Sequence, residues 1–228
     1  MVVASAANLA LRLGDLSERS TPAEEKRRVI LDAAVRVFAR KGFHESRVGD
    51  IAEEAGVAHG LLYHYFSSKD EVLETIFLDH WSQLMERIHA VETSGEAPVD
   101  QLRGIVRAMF RGWLHEPDEV RVVIREIARS AEVSQRVGEL VRPIGAIRRI
   151  FERGMDGGDF RRDLDADMAA VIVYGAIDEL ITGWVLGRLP GTEEDVANAE
   201  HHIVEVLAAG LSASAQQGGE ARRADVPA

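Results

Sequence analysis

Apolar residues return every three or four positions along most of this chain, the spacing that gathers them on one face of an α-helix. Val29, Ile30, Ala33, Ala34, Val37 and Phe38 form the first such stripe. It predicts a helix closing on Arg40 and Lys41, with Gly42 just beyond as the stop. Val48, Ile51, Ala52 and Ala55 mark a second helix over 47–55, with Ser46 placed as its cap. Gly56 makes a tight turn, and a short third helix covers 58–65. Longer helices are predicted over 69–91, 98–115, 118–130, 133–155, 165–187 and 193–211. Their separators are Ser94-Gly95, Glu116-Pro117, Gly157-Gly158 and Pro190-Gly191. No alternating strand pattern bounded by turn residues occurs, so the predicted class is all-α. Residues 1–22 and 214–228 are rich in Ala, Ser, Gly and small polar residues and read as disordered tails.

The second and third helices, joined by a short glycine-containing turn, have the form of a helix-turn-helix. In Ile51-Ala52-Glu53-Glu54-Ala55-Gly56-Val57, Ala52 is small where the two helices cross and Gly56 supplies the turn. Val57, Leu62 and Phe66 are spaced to plug the third helix onto the first two. His59, Gly60, Leu61, Tyr63 and His64 are left facing outward. Such an exposed Leu, Tyr and His set suits the major groove of DNA. Leu61 can meet a thymine methyl, and Tyr63 and His64 can reach phosphates or base edges. Tyr65 reads as core or hinge, and His44 as a loop residue.

Taken as a sum, charge opposes a nucleic-acid partner, because the net charge is −11. Its distribution alters the picture. Between Glu24 and Asp70 there are eight Lys/Arg and eight Asp/Glu, so that segment is neutral and the negative excess lies elsewhere. From Ala55 to Lys69 there is no acidic residue. The composition, 46% hydrophobic and 29% charged, is that of a globular chain. The absence of cysteine excludes disulfides and thiolate metal ligation. Ser5 and Asn8 interrupt the mildly apolar N-terminus, so no secretory leader is expected. No window is read as the uninterrupted run of roughly 20 apolar residues that a membrane span needs. A cytoplasmic protein with no membrane partner is expected.

The stretch from Gly42-Phe43 to Lys69, GFHESRVGDIAEEAGVAHGLLYHYFSSK, resembles the DNA-binding signature of TetR-type repressors. Its most recognisable part is Tyr63-His64-Tyr65-Phe66 followed by Lys69. The resemblance implies that Ser46 caps the second helix and contacts phosphate. It implies that Tyr63, His64 and Lys69 contact the DNA backbone and that His59, Gly60 and Leu61 face bases. Two positions depart from the family. Ala58 stands where Ser or Thr usually caps the third helix, and Gly49 where a longer polar side chain often reads a base. Arg47 is expected to take part of that work. The domains implied are a reading head over 23–69 and a helical effector-binding and dimerisation part over 70–213.

Within the larger part, the predicted helix over 165–187 is apolar on nearly every side. A helix of that kind is buried all round, either centrally within one chain or against a second subunit. Paired with its neighbour over 196–211, it resembles the two-helix dimer face of TetR proteins. Tyr174, Ile177, Ile181, Trp184, Val204 and Leu207 are the expected contacts. The run Tyr174–Trp184 also resembles the corresponding helix of the FadR-type branch, which regulates fatty-acid degradation and senses long-chain acyl-CoA. Arg103, Arg107 and Arg111, spaced by four, form a guanidinium ridge on a helix that also carries Phe110 and Trp113. With Tyr174 and Asp178 these are the expected effector contacts, the arginines holding ligand phosphates at the rim of an acyl pocket. The plainer alternative is a solvated basic face balancing acidic neighbours.

The resulting expectation is a homodimeric regulator, a repressor by resemblance. It would bind a palindromic double-stranded operator and be released by a small hydrophobic effector such as a long-chain acyl-CoA. Control of efflux or other metabolism by a different hydrophobic ligand is the alternative. No cofactor or metal is expected. Bundle metal sites repeat a Glu-x-x-His pair, and here Glu86 and His89 form a single one. No nucleophile–base spacing or glycine-rich phosphate loop suggests an enzyme. A non-specific DNA coat would need a broad basic surface, which the net charge opposes.

Overall fold

A computed structural model describes residues 21–127 and 141–211. The helices run α1 (Pro22–Lys41), α2 (Val48–Glu54), α3 (His59–Tyr65), α4 (Lys69–Glu92), α5 (Pro98–His115), α6 (Pro117–Ile127), α7 (Arg142–Gly157), α8 (Ala166–Val185) and α9 (Glu193–Leu211). Among the described residues there is no β-strand. Residues 1–20 and 212–228, the end of the helix predicted over 118–130 and the start of that predicted over 133–155 lie outside the described residues, while Thr21 and Pro22, read as the end of the disordered N-terminal tail, instead open α1.

Local chemistry sets most of the helix starts. Thr21 Oγ accepts from the Glu24 N–H at 3.2 Å while Glu24 Oε2 accepts from the Thr21 N–H at 2.6 Å. With Pro22 in the first turn, α1 therefore begins with a capping box. Ser68 caps α4 through the Glu71 N–H, and Asp165 caps α8 through the Met168 N–H. Gly56, at φ +65°, turns the chain between α2 and α3 in a conformation that side-chain-bearing residues rarely adopt.

α1, α2 and α3 pack around Ile30, Ala34, Phe38, Ile51, Leu62 and Phe66, all buried. α4 leaves this unit and enters the second, where it packs on α5, α6 and α7. α8 lies against α7, and α9 against α5. α6 belongs to both units, because it packs on α1 as well as on α4, α5 and α8. The apolar core runs unbroken from the small unit to the large one.

Of the two placements the sequence left open for α8, the central one is excluded, because α8 is not enclosed within its own chain. Ala170, Val173, Ile177, Ile181 and Trp184 are buried, but Met168, Val171 and Ile172 are 59%, 50% and 62% exposed.

Candidate nucleic-acid interface and ligand chamber

α3 is held from beneath and open above. Leu62 and Phe66 are fully buried and Val57 is half-buried, so the plug predicted from their spacing is what fastens the helix. His59, Gly60, Tyr63 and His64 are exposed, and Leu61 is half-buried. The His59 and Tyr63 rings meet edge to face, centroids 5.2 Å apart, so the two side chains form one aromatic edge. Gly49, at the start of α2, lies beside His59: a Cβ there would sit 3.7 Å from its ring. Arg47 is exposed next to it. Thus Arg47, His59 and Tyr63 lie on one outer side of the small unit, and His64 is exposed one position further along α3.

Two of the three acidic residues of α2, Asp50 and Glu54, are neutralised by α1. Glu54 accepts from Arg36 at 2.8 Å and from Arg40 at 2.9 Å, and these hydrogen bonds hold its carboxyl below the usual glutamate range. Lys41 binds Asp50 at 2.9 Å, and this bond, with one from the Arg47 N–H, keeps that carboxyl low as well. A phosphate backbone approaching α3 therefore meets aromatic and histidine side chains and no carboxylate from α3 itself.

Two expected contacts, Ser46 and Lys69, are placed differently. Ser46 is not the cap of α2. The N-cap is Arg47, whose N–H is taken by the Asp50 carboxylate. Ser46 is 3% exposed and donates its hydroxyl to the Gly42 carbonyl at 2.6 Å, which turns it inward from a phosphate. Lys69 is also occupied. Its ammonium donates to the carbonyls of Phe43, His44 and Ser46 at 2.8, 3.1 and 3.0 Å and lies 4.5 Å from the Phe43 ring centre. It clasps the α1–α2 loop to the first residue of α4. Sequence spacing showed that Lys69 opens α4 but could not show three carbonyls converging on it.

In the larger unit a cavity of about 480 Å³ lies between α4, α5, α6, α7 and α8. Trp81, Leu84, Met109, Val123, Ile144 and Ile181 supply its apolar wall, and His80, Tyr174, Asp178 and Thr182 its polar groups. His80 Nδ1 is bound to Glu119 at 2.7 Å. Burial, with a smaller effect from the Asp178 charge, pushes the Tyr174 phenol up to about 12. Partial burial and then the Glu179 charge raise Asp178. The size falls within the range of about 300–1,000 Å³ typical of small-molecule sites.

The arginine ridge does not line this cavity, which corrects its expected place at the rim. Arg103 pairs with Asp100, and Arg107 pairs with Glu200 on α9 at 2.6 Å. Arg111 is exposed, outside the cavity lining. The charged residues face α9 because the apolar face of α5 turns the other way. Phe110 and Trp113 are likewise structural. Phe110 is 1% exposed and packs on Trp184 at 4.8 Å, while the Trp113 indole donates to the Gly191 carbonyl at 2.9 Å. Only Tyr174 and Asp178 of the expected effector contacts reach the cavity.

The expected dimer contacts need the same correction. Ile177, Ile181, Trp184 and Val204 are buried in their own chain, with Tyr174 and Leu207 half-buried. The open apolar surface lies one helical step round, at Met168, Val171, Ile172 and Leu186 of the α8 region and at Val206 of α9.

A braced recognition helix joined through α4 and α6 to a ligand-sized chamber defines a helical DNA-binding transcriptional regulator. Residues 30–76 match the family described as bacterial regulatory proteins, tetR family, and residues 77–210 match the C-terminal region of YsiA-like proteins. The chain belongs to the TetR family. It is 28% identical over 184 residues to the fatty acid metabolism regulator protein of Bacillus subtilis, covering 80% of this chain and 93% of that one. It is 29% identical over 202 residues to the HTH-type transcriptional repressor KstR2 of Mycolicibacterium smegmatis, covering 86% and 94%. Among solved structures, the fatty acid degradation regulator FadR of Bacillus halodurans superposes with a TM-score of 0.71 at 25% identity, over 85% of this chain and 98% of that one. FadR of Bacillus subtilis, solved in complex with stearoyl-CoA, gives 0.68 at 27% identity, over 80% and 98%. These relatives are regulators of transcription, consistent with the FadR-type branch.

Proposed function

We propose that the chain is a cytoplasmic repressor that binds a palindromic operator as a homodimer and lets go when a hydrophobic effector fills the chamber. The reading rests on Arg47, His59, Tyr63 and His64, exposed on and beside a firmly seated α3. One recognition helix spans too few base pairs for specificity, whereas a two-fold pair separated by about 34–36 Å reads two half-sites. The exposed strip from Met168 to Leu186 supplies the pairing surface, since a second copy would remove those side chains from water. In composition α8 is long and apolar enough to cross a membrane, but 39% of its apolar stretch is buried in its own chain.

The effector is a long-chain acyl-CoA. The FadR relatives support this class, and the chamber's apolar wall suits an acyl chain. A more polar groove, lined by Met85, His89 and Arg142, shares Trp81 with the chamber as a wall, and supports a place for a charged head group outside the apolar lining. Filling the chamber displaces α4 and α6, the two helices that touch both it and the reading head. An effector need only favour the non-binding arrangement by a few kcal/mol to empty the operator. The test is the double variant Tyr63→Ala, His64→Ala in a gel-shift assay. It is expected to abolish the operator shift while helicity and oligomeric state are kept, and unchanged operator affinity would defeat the reading.

A further inference from the structure

The wall contributed by α8 holds more hydrogen-bonding capacity than an unsubstituted hydrocarbon can use. Tyr174, Asp178 and Thr182 recur every four residues, so they stand in one row, spaced about 6 Å apart along the helix. All three line the cavity, and none of their side chains has a hydrogen-bond partner among the described residues. The fourth polar lining group, His80, is different, being engaged by Glu119. The remaining lining is largely Val, Ile, Leu, Met and Trp. Tyr174 is half-buried, and Asp178 stands at an open edge.

We infer that this row selects an acyl chain carrying a hydroxyl group over the same chain without one, the hydroxyl lodging between Tyr174, Asp178 and Thr182. The inference rests on reading the cavity as the effector chamber and names the chemistry that it prefers.

The argument turns on which ligand group satisfies the row. A hydroxyl donates to the Asp178 carboxyl and accepts from the Tyr174 phenol or the Thr182 hydroxyl, so one oxygen satisfies two neighbours. A ketone only accepts, and leaves Asp178 unserved while that group is ionised. A cationic amine would pair with Asp178 but has no lone pair to accept from the Tyr174 phenol or the Thr182 hydroxyl. A plain chain expels the water that serves the half-buried Tyr174 and Thr182 hydroxyls and puts nothing in its place, and polar groups left unmet in this way penalise the wrong ligand. The elevated titration of Tyr174 and Asp178 fits the same picture, since it keeps the phenol protonated and able to donate.

The experiment is calorimetric titration of the full-length protein with stearoyl-CoA and with a panel of hydroxystearoyl-CoA isomers that move the hydroxyl along the chain. At least one isomer is expected to bind tenfold or more tightly than stearoyl-CoA. The near-isosteric variants Tyr174→Phe and Thr182→Val, combined, are expected to bring that ratio to within about threefold while stearoyl-CoA affinity is kept or improved. A melting curve verifies that the double variant is folded, and Asp178→Leu gives an independent second variant with the same expected loss. Equal affinities across the panel, or a preference that survives both variants, would overturn the inference and leave the chamber standing. No binding of any thioester would overturn both it and the acyl-CoA reading.

Discussion

Lys69→Met separates a structural clasp from a phosphate contact, and the two make opposite forecasts. The ammonium donates to three carbonyls of the 43–46 loop, two of the bonds part-buried and one exposed. A hydrogen bond to a charged group is worth about 1.5–3 kcal/mol, and exposed loop carbonyls recover water when it is lost. Counting only the two part-buried bonds at the low end gives about 3 kcal/mol. Methionine keeps much of the apolar stem, so the change reports chiefly on the charge. For a chain of this length the melting temperature moves by about 2–4 °C per kcal/mol, which forecasts a fall of about 6–12 °C. The second readout is the dependence of operator affinity on salt. A lysine that neutralised a phosphate would, on removal, lower the logarithmic slope by about 0.9 per phosphate. Because the ammonium is already spent on carbonyls, the slope should stay as it was, with any loss of affinity equal at all salt concentrations. An unchanged melting temperature together with a shallower slope would refute the clasp.

Three further outcomes follow from other parts of the fold. Ala58 occupies the N-cap of α3 with no side-chain bond to the helix, so Ala58→Ser should stabilise the reading head by about 0.5–2 kcal/mol, seen as a later urea transition. Ile172→Asp, on the open strip of α8, should turn the dimer into a folded monomer in analytical ultracentrifugation; Ile177→Ala, in the core, should instead cost about 2–5 kcal/mol and leave the association intact. The carboxyls of Glu54 and Asp50 titrate below their usual values when folded, so their contribution is present above the ordinary carboxylate range and fades as pH falls through the lowered values. Urea stability measured from neutral pH down to about pH 3 should fall at the acid end, and less steeply in Glu54→Gln.

What the chain makes plain on its own is whatever depends on neighbours in sequence. Helix period, the Gly56 turn, the stop at Gly42 and the inward set Leu62 and Phe66 are local matters of spacing and backbone freedom, and the reading-head motif is built from them. The outward row on α3 follows from the same period once its inward members are known. Tertiary structure decided the remainder, because it depends on residues far apart in the chain. Lys69 meets carbonyls more than twenty positions earlier, and Arg107 meets Glu200 across two helices, so neither partner could be read from spacing. The apolar stripe of α8 is broad enough to serve two faces. Which half enters the core and which stays open was settled by the helices packed against it, and that choice moved the expected pairing residues from Ile177 and Trp184 to Val171 and Ile172. The chamber is a property of five helices together, and only their packing shows that Tyr174 and Asp178 look into it while the arginine ridge looks away.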